Sequence, residues 1–323
     1  MEKRKLGQLE VSAMGLGCMG MSEFYGAADD KQSIETIHRA LDEGIDMLDT
    51  ADMYGVGGAN EILLGKALKN RRSQAIVATK FGVMRDAEGK ILGINGHPAY
   101  VKKAVEESLR RLGMDDIDLY YQHMPDPTVP IEETVGAMSE LVQNGKVRFL
   151  GLSNVGMETL QKAVKVHPIA ALQVEYSLWG REIEQSFPTL RELGVGIVAY
   201  SPLGKGFLTG TIKRYEDFSA QDIRRHFTRF QEANFQKNRD IVAQLEEIAR
   251  VQQVTASQVA LAWVLHQGKD IVPIPGTRKS KNLIENIAAL NVNLSAGDLI
   301  RINEIASQIA GDFEVSETAL DNQ

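Results

Sequence analysis

The sequence predicts a (β/α)8 barrel, the TIM-barrel architecture, with eight parallel strands each followed by a helix. Three observations carry that prediction. Short apolar runs rich in β-branched residues recur eight times, and their continuous hydrophobicity is that of strands buried on both faces. Between them lie longer stretches whose apolar residues repeat at helical spacing, and such alternation calls for a parallel sheet covered by helices. Eight strand–helix units are the number that closes a barrel.

In chain order, strands are expected near Met14–Met19, Ile45–Leu48, Ala75–Thr79, Ile117–Tyr121, Val147–Leu152, Ala171–Val174, Gly196–Tyr200 and Ile271–Ile274. The first helix carries Ile34, Ile37, Ala40 and Leu41 on one stripe, with Asp30 to cap its start and Gly44 after its end. The third carries Val101, Val105, Leu109 and Leu112 and stops at Gly113. The fourth aligns Val135, Met138, Leu141 and Val142 and ends at Asn144-Gly145. Three pieces fall outside the repeat. Leu6-Gly7-Gln8 joins two short runs and reads as an N-terminal β-hairpin capping the barrel floor. Gly204–Lys237 reads as a long loop after the seventh strand, and loops of that length are usually functional or mobile. Ser295–Ala310 reads as an extra C-terminal helix, followed by a polar tail, Gly311–Gln323.

Composition narrows the class further. A chain of 323 residues, 43% hydrophobic, with no linker or break in composition, reads as one domain over 1–323. The net charge of −7 argues against a nucleic-acid partner. The basic cluster Arg224, Arg225 and Arg229 reads as solvated loop. The single cysteine, Cys18, excludes an intrachain disulfide and a four-thiolate metal site. The six histidines are scattered with no two on one strand end, so no metal is expected. No run of about 18 apolar residues occurs, so no membrane span is expected. No signal core follows the charged start, and the cytoplasm is the expected compartment.

In such barrels catalytic groups stand where strands end, at the C-terminal face. Strand two ends in Asp49-Thr50-Ala51-Asp52-Met53-Tyr54, strand three in Thr79-Lys80-Phe81-Gly82, and strand four in Tyr120-Tyr121-Gln122-His123. Closure brings these ends together. Singly each residue has a plainer reading: Lys80 as surface charge, His123 as a structural side chain, Asp49 as a helix cap. On consecutive strand ends they suggest carbonyl reduction, because the alkoxide formed by hydride transfer must be protonated. Tyr54 is the candidate acid. Lys80 would lower its pKa, Asp49 would hold the ammonium, and His123 would donate a hydrogen bond to the substrate oxygen.

Asp49-x-x-x-x-Tyr54, Lys80 and His123 resemble, in order, the catalytic tetrad of the aldo-keto reductase superfamily. The resemblance runs from about Leu6 to about Leu290. It includes Gly151-Leu152-Ser153-Asn154, Gln173, Tyr200-Ser201-Pro202-Leu203-Gly204 and Pro275-Gly276-Thr277-Arg278, and is nearest in motif to bacterial and plant NADPH-dependent reductases. The resemblance implies NADPH as cofactor and a small-molecule carbonyl as substrate, with no obligatory protein partner. Ser153, Asn154 and Gln173 would hold the nicotinamide carboxamide, and Tyr200 would stack on the ring. Asp49 would also reach the nicotinamide ribose. Ser201, Leu203, Gly204 and Gly206 would line the pyrophosphate. Gly276, Thr277, Arg278 and Asn282 would hold the adenosine 2′-phosphate, and Glu285 and Asn286 the adenine. Independently, Thr277 and Arg278 precede a helix start, which favours anions, although the segment also reads as ordinary helix-start chemistry. Some family members carry lysine where Gly276 stands, the charge here being moved to Arg278.

Gly15-x-Gly17-x-x-Gly20 spells a dinucleotide fingerprint, but it opens no helix, and Gly17, Cys18 and Met19 read instead as passing close to the nicotinamide end. Phe24, Tyr25, Met53, Phe81, Met124 and Trp179 are candidate pocket walls, each with the alternative of packing on the barrel rim. Two other functions compete with carbonyl reduction. A cofactor-binding regulatory subunit on the same barrel would show little turnover, and a metal-dependent barrel hydrolase would carry bound metal.

Overall fold

In this computed structural model residues 1–24, 29–218 and 222–311 are described. Tyr25 and the tail from 312 to 323 lie outside them. Strands β1 (Lys3–Leu6) and β2 (Leu9–Ser12) pair antiparallel across Gly7-Gln8. The barrel begins with β3 (Leu16–Gly17), α1 (Asp30–Asp42), β4 (Met47–Asp49), α2 (Ala59–Leu68) and β5 (Ile76–Phe81). A second antiparallel hairpin, β6 (Val83–Arg85) and β7 (Ile91–Ile94), precedes α3 (Pro98–Leu112). Next come β8 (Ile117–Gln122), α4 (Ile131–Gln143), β9 (Val147–Ser153) and α5 (Met157–Val166). They lead to β10 (Ile169–Glu175), α6 (Phe187–Glu192) and β11 (Gly196–Tyr200). Two helices, α7 (Glu232–Val251) and α8 (Ala256–His266), separate β11 from β12 (Ile271–Pro273). Helices α9 (Ser280–Ala288) and α10 (Ala296–Ala306) follow.

The sheet runs β3-β4-β5-β8-β9-β10-β11-β12, all neighbours parallel. The edges meet where Gly15 N–H donates to Pro273 O at 2.9 Å and Gly17 bridges Gly276 in parallel. A Cβ on Gly17 would lie 2.8 Å from the Ile274 carbonyl, so this approach requires glycine.

Side chains alternate between two cores, as the period of a strand demands. Leu48, Val77, Tyr120, Leu150, Leu172 and Ile197 face out into the helix layer. Met47, Ala78, Leu119, Ala171, Val198 and Val272 face into the lumen, where Leu6, Leu9 and Val11 of the first hairpin join the same cluster.

The hairpin, the eight units and the extra helix match the expected plan, with four local differences. The first strand is only two residues long because the chain turns into a 3-10 helix at Met19–Met21. Asp29, not Asp30, caps α1, accepting from Gln32 N–H at 3.1 Å. Hairpin β6–β7 was not foreseen. Among its described residues the loop after β11 contains four short 3-10 turns, and it ends sooner, at α7. A buried polar residue, Asn238, interrupts the apolar stripe of α7. It bonds Arg229 O and both polar groups of Ala310.

Nor are the three arginines plain solvated loop, Arg224 and Arg225 being half-buried. Arg229 is buried, with its guanidinium 5.8 Å from the Trp179 ring. Arg224 lies over Phe218 and Arg225 over Tyr215, folding the loop around an aromatic cluster.

Candidate active site

Parity places the polar residues. Lys80 stands two residues beyond lumen-facing Ala78, and Asp49 two beyond Met47. Gln173 likewise follows Ala171. Each of the three is therefore carried into the lumen at the C-terminal mouth, where all three are at least 97% buried. Lys80 pairs with Tyr121 across β5 and β8, Tyr121 with Gly151, and Ser153 with Gln173, so the strand ends stand side by side.

Lys80 Nζ donates to Asp49 Oδ1 at 2.5 Å, to Thr50 O at 2.8 Å and to Tyr54 Oη at 3.3 Å. Asp49 Oδ2 accepts from Gln173 Nε2 at 2.7 Å. The Tyr54 ring meets His123 edge-on, with centroids 5.6 Å apart. Thus Asp49, Tyr54, Lys80 and His123 form one contiguous cluster. Among the described residues His123 Nδ1 is buried with no hydrogen-bond partner, an arrangement that costs about 1–3 kcal/mol.

The charge states follow from this packing. Burial alone would depress the Lys80 pKa, but Asp49 and then Tyr54 outweigh it, so Lys80 is held protonated above its ordinary value. Burial, joined by the Lys80 charge, pushes His123 well below the usual imidazole range, so it is neutral. Tyr54 departs from expectation: burial raises its pKa, and the Lys80 charge opposes that rise without cancelling it. The phenol is therefore firmly protonated in the free protein.

The mouth also holds unusual backbone. Phe24, Asn154, Ser201, Lys205 and Gln253 are the described non-glycine residues with positive φ, and all but Gln253 lie on loops at the strand C-termini. Such conformations cost of order 1–3 kcal/mol each and concentrate at ligand sites. Asn154 Nδ2 lies 3.0 Å from Ser153 Oγ and 3.3 Å from Met124 Sδ, and Asn154 Oδ1 accepts from Tyr200 Oη at 3.1 Å. Beyond Ser201 and Leu203 the chain turns through Gly204, Lys205 and Gly206, all at positive φ. Lys205 Nζ donates to Glu175 Oε2 at 2.6 Å. The sequence reading passed over Lys205, although a cation between two glycines of a phosphate-type loop was the available signal.

Other expected site residues are placed differently. Phe81, next to Lys80, faces outward and stacks on Tyr120 at 5.0 Å, so it is no pocket wall. Trp179 is buried against Phe207 and Phe230 and braces Gly204, whose Cβ would approach it to 2.9 Å. Cys18 packs in the outer core, and burial pushes its thiol up to about 12. Gly17 and Gly276 close the barrel. Phe24, Met53 and Met124 are half-buried at the rim.

On the segment after β12, Gly276, Lys279 and Asn282 are exposed and Thr277 and Arg278 half-buried. Thr36 Oγ1 donates to Arg278 O at 3.1 Å, fixing the segment against α1. Glu285 accepts from Thr255 Oγ1 at 2.9 Å, so its carboxylate already has a partner, and Asn286 is buried.

A parallel barrel with a buried Lys–Asp–Tyr cluster at its C-terminal mouth describes a class of barrel oxidoreductases. The model of the Aldo/keto reductase family matches residues 13–307, and the chain belongs to that family. Its fold is similar to a glycerol dehydrogenase from Gluconobacter oxydans, with 31% identity over 97% of each chain and a TM-score of 0.87. It is also similar to an aldo-keto reductase from Bacillus halodurans in its holo form, with 30% identity over 98% of each chain and a TM-score of 0.80. A third similar structure is an aldo-keto reductase from Klebsiella pneumoniae in complex with NADP and acetate, with 27% identity over 98% of each chain and a TM-score of 0.74. The chain is an oxidoreductase of this family. Among the described residues no helix is long and apolar enough to cross a membrane.

Proposed function

We propose that the protein is a cytoplasmic, single-domain reductase that converts aldehydes and ketones to alcohols with NADPH, Tyr54 acting as the acid. The observation that carries this reading is Lys80, a buried ammonium that bonds Asp49 and Tyr54 at once. Bound NADPH would supply the hydride. Neutral His123 would donate a ring N–H to the carbonyl oxygen and orient it toward Tyr54. Tyr54 would then pass its proton to that oxygen as charge develops. An alkoxide is far more basic than a phenolate, so even a raised phenol pKa leaves the transfer downhill. Lys80 stabilises the phenolate left behind, and Asp49 keeps the ammonium charged and in place.

The residues of the mouth fit the cofactor. Ser153, Asn154 and Gln173 offer side-chain amide and hydroxyl groups for the carboxamide, and half-buried Tyr200 offers a ring face. Ser201, Leu203, Gly204 and Gly206 offer a tightly turned loop for the pyrophosphate. Gly276, Thr277, Arg278 and Asn282 would hold the 2′-phosphate, with Asn286 and Glu285 at the adenine, Glu285 through whatever capacity Thr255 leaves it. Binding of NADP in the Klebsiella pneumoniae structure supports the same choice here.

The test is steady-state oxidation of NADPH with a panel of aldehydes and ketones, with NADH in parallel. Carbonyl-dependent oxidation that favours NADPH is expected. Tight NADPH binding with no carbonyl-dependent oxidation would contradict the proposal and favour a regulatory subunit.

A further inference from the structure

Arg85, the last residue of β6, and Glu23, in the loop after β3, meet beside the backbone of Tyr54. Arg85 Nη1 and Nη2 donate to Glu23 Oε2 and Oε1, both at 2.7 Å, a bidentate pair. The pair does not end there. Arg85 Nη1 also donates to Met53 O at 2.7 Å, and Glu23 Oε2 also accepts from Gly55 N–H at 2.8 Å. These are the two peptide groups that flank the Tyr54 Cα, one on each side. Arg85 Nε donates to Gly89 O at 2.6 Å in the turn of hairpin β6–β7. A Cβ on Gly89 would lie 2.8 Å from Arg85 Nη2, so glycine leaves the guanidinium its space. Both side chains are largely buried, at 13% and 25% exposure, where a charge pair is less screened than at the surface.

We propose that the Glu23–Arg85 pair is a positioning device for Tyr54, gripping both adjoining peptide planes and so fixing the direction of its phenol. Neither residue touches the reacting atoms. Hairpin β6–β7 exists, on this account, to deliver Arg85. The inference rests on reading Tyr54 as the proton donor, because a phenol misdirected by about 1 Å can lose on the order of a hundredfold in rate.

Chemistry separates this role from a plain ion pair. A guanidinium only donates and a carboxylate only accepts. Exchanging the two residues keeps the charge pair but leaves Met53 O without its donor and Gly55 N–H without its acceptor. The experiment compares Glu23→Gln, Arg85→Lys, Glu23→Arg, Arg85→Glu and the exchanged double variant, with Tyr54→Phe as control. It reads Tm, NADPH Kd, and kcat and KM for one aldehyde. Glu23→Gln and Arg85→Lys should lower kcat about 10- to 100-fold with NADPH Kd unchanged. The exchange should recover Tm lost in Glu23→Arg and Arg85→Glu without recovering kcat. Recovery of kcat together with Tm would overturn the proposal, as would wild-type kcat in both conservative variants. If the exchanged protein does not fold, the conservative variants decide alone. A Tyr54→Phe enzyme that keeps its rate would sink the reading of Tyr54 itself. An inactive Tyr54→Phe beside fully active clamp variants would sink only the clamp.

Discussion

At the floor of the barrel Leu6, Leu9 and Val11 share a cluster with Met47, Ala78, Leu119 and Val198, all buried and all apolar. Two residues farther along β4, β5 and β10 the same lumen holds Asp49, Lys80 and Gln173, equally buried and bonded to one another. One tube, with one alternation of side chains, is thus apolar at one end and ionic at the other. The floor gains stability from area removed from water. The mouth spends stability, since buried charges and positive-φ backbone are each unfavourable in isolation. Substitutions at the two ends should therefore fail in different ways.

The largest expected effect is at the mouth. Lys80→Met leaves Asp49 buried without its cation, which costs about 3–5 kcal/mol when one partner of such a pair is removed. It should also cut carbonyl reduction and change the pH–rate profile, because Tyr54 loses the charge that opposes its raised pKa. Denaturant unfolding and a pH–rate series check both. A variant with the wild-type pH–rate profile would mean that Lys80 does not tune Tyr54. At the floor, Leu6→Ala should cost about 2–5 kcal/mol of stability. There kcat, KM and NADPH Kd should all hold below the melting transition, and a selective loss of kcat would break the division between the two ends.

A smaller effect is expected on the segment after β12. Arg278→Ala should weaken NADPH by about 1.5–3 kcal/mol, the usual loss of a charge-assisted bond, and leave NADH unchanged. Calorimetric titration of both cofactors measures it, and equal losses would assign Arg278 to the fold. Smallest is a pH effect on stability. His123 is depressed well below 6.5 in the folded protein, so the unfolded chain binds the proton first as pH falls. The stability it contributes is present above about pH 6.5 and is lost progressively below it. His123→Gln should flatten that acid limb in Tm measured against pH.

The lumen of the mouth was readable because period-two alternation needs only the positions of strands, and strands buried on both faces are conspicuous. The same parity would have shown that Phe81, adjacent to Lys80, must face outward. Hairpin β6–β7 was not readable, since its half-buried and exposed residues lack a clean alternation and its purpose lies in a contact with Glu23, more than sixty residues away in the chain. The three arginines were misread because their partners, Trp179 and the aromatic residues around it, are assembled only by the fold. The raised pKa of Tyr54 was likewise hidden. Sequence shows the cation beside the phenol but not how completely both are buried, and burial is the larger effect.

The central claim is that Tyr54 gives the proton and that the rest of the cluster serves it. Tyr54→Phe keeps the ring against His123 and removes only the hydroxyl. Single-turnover reduction of an aldehyde by enzyme preloaded with NADPH, read beside the NADPH dissociation constant, isolates that hydroxyl. The account predicts a rate lower by ~10²–10⁴ with cofactor affinity largely retained. A near-normal rate would contradict it.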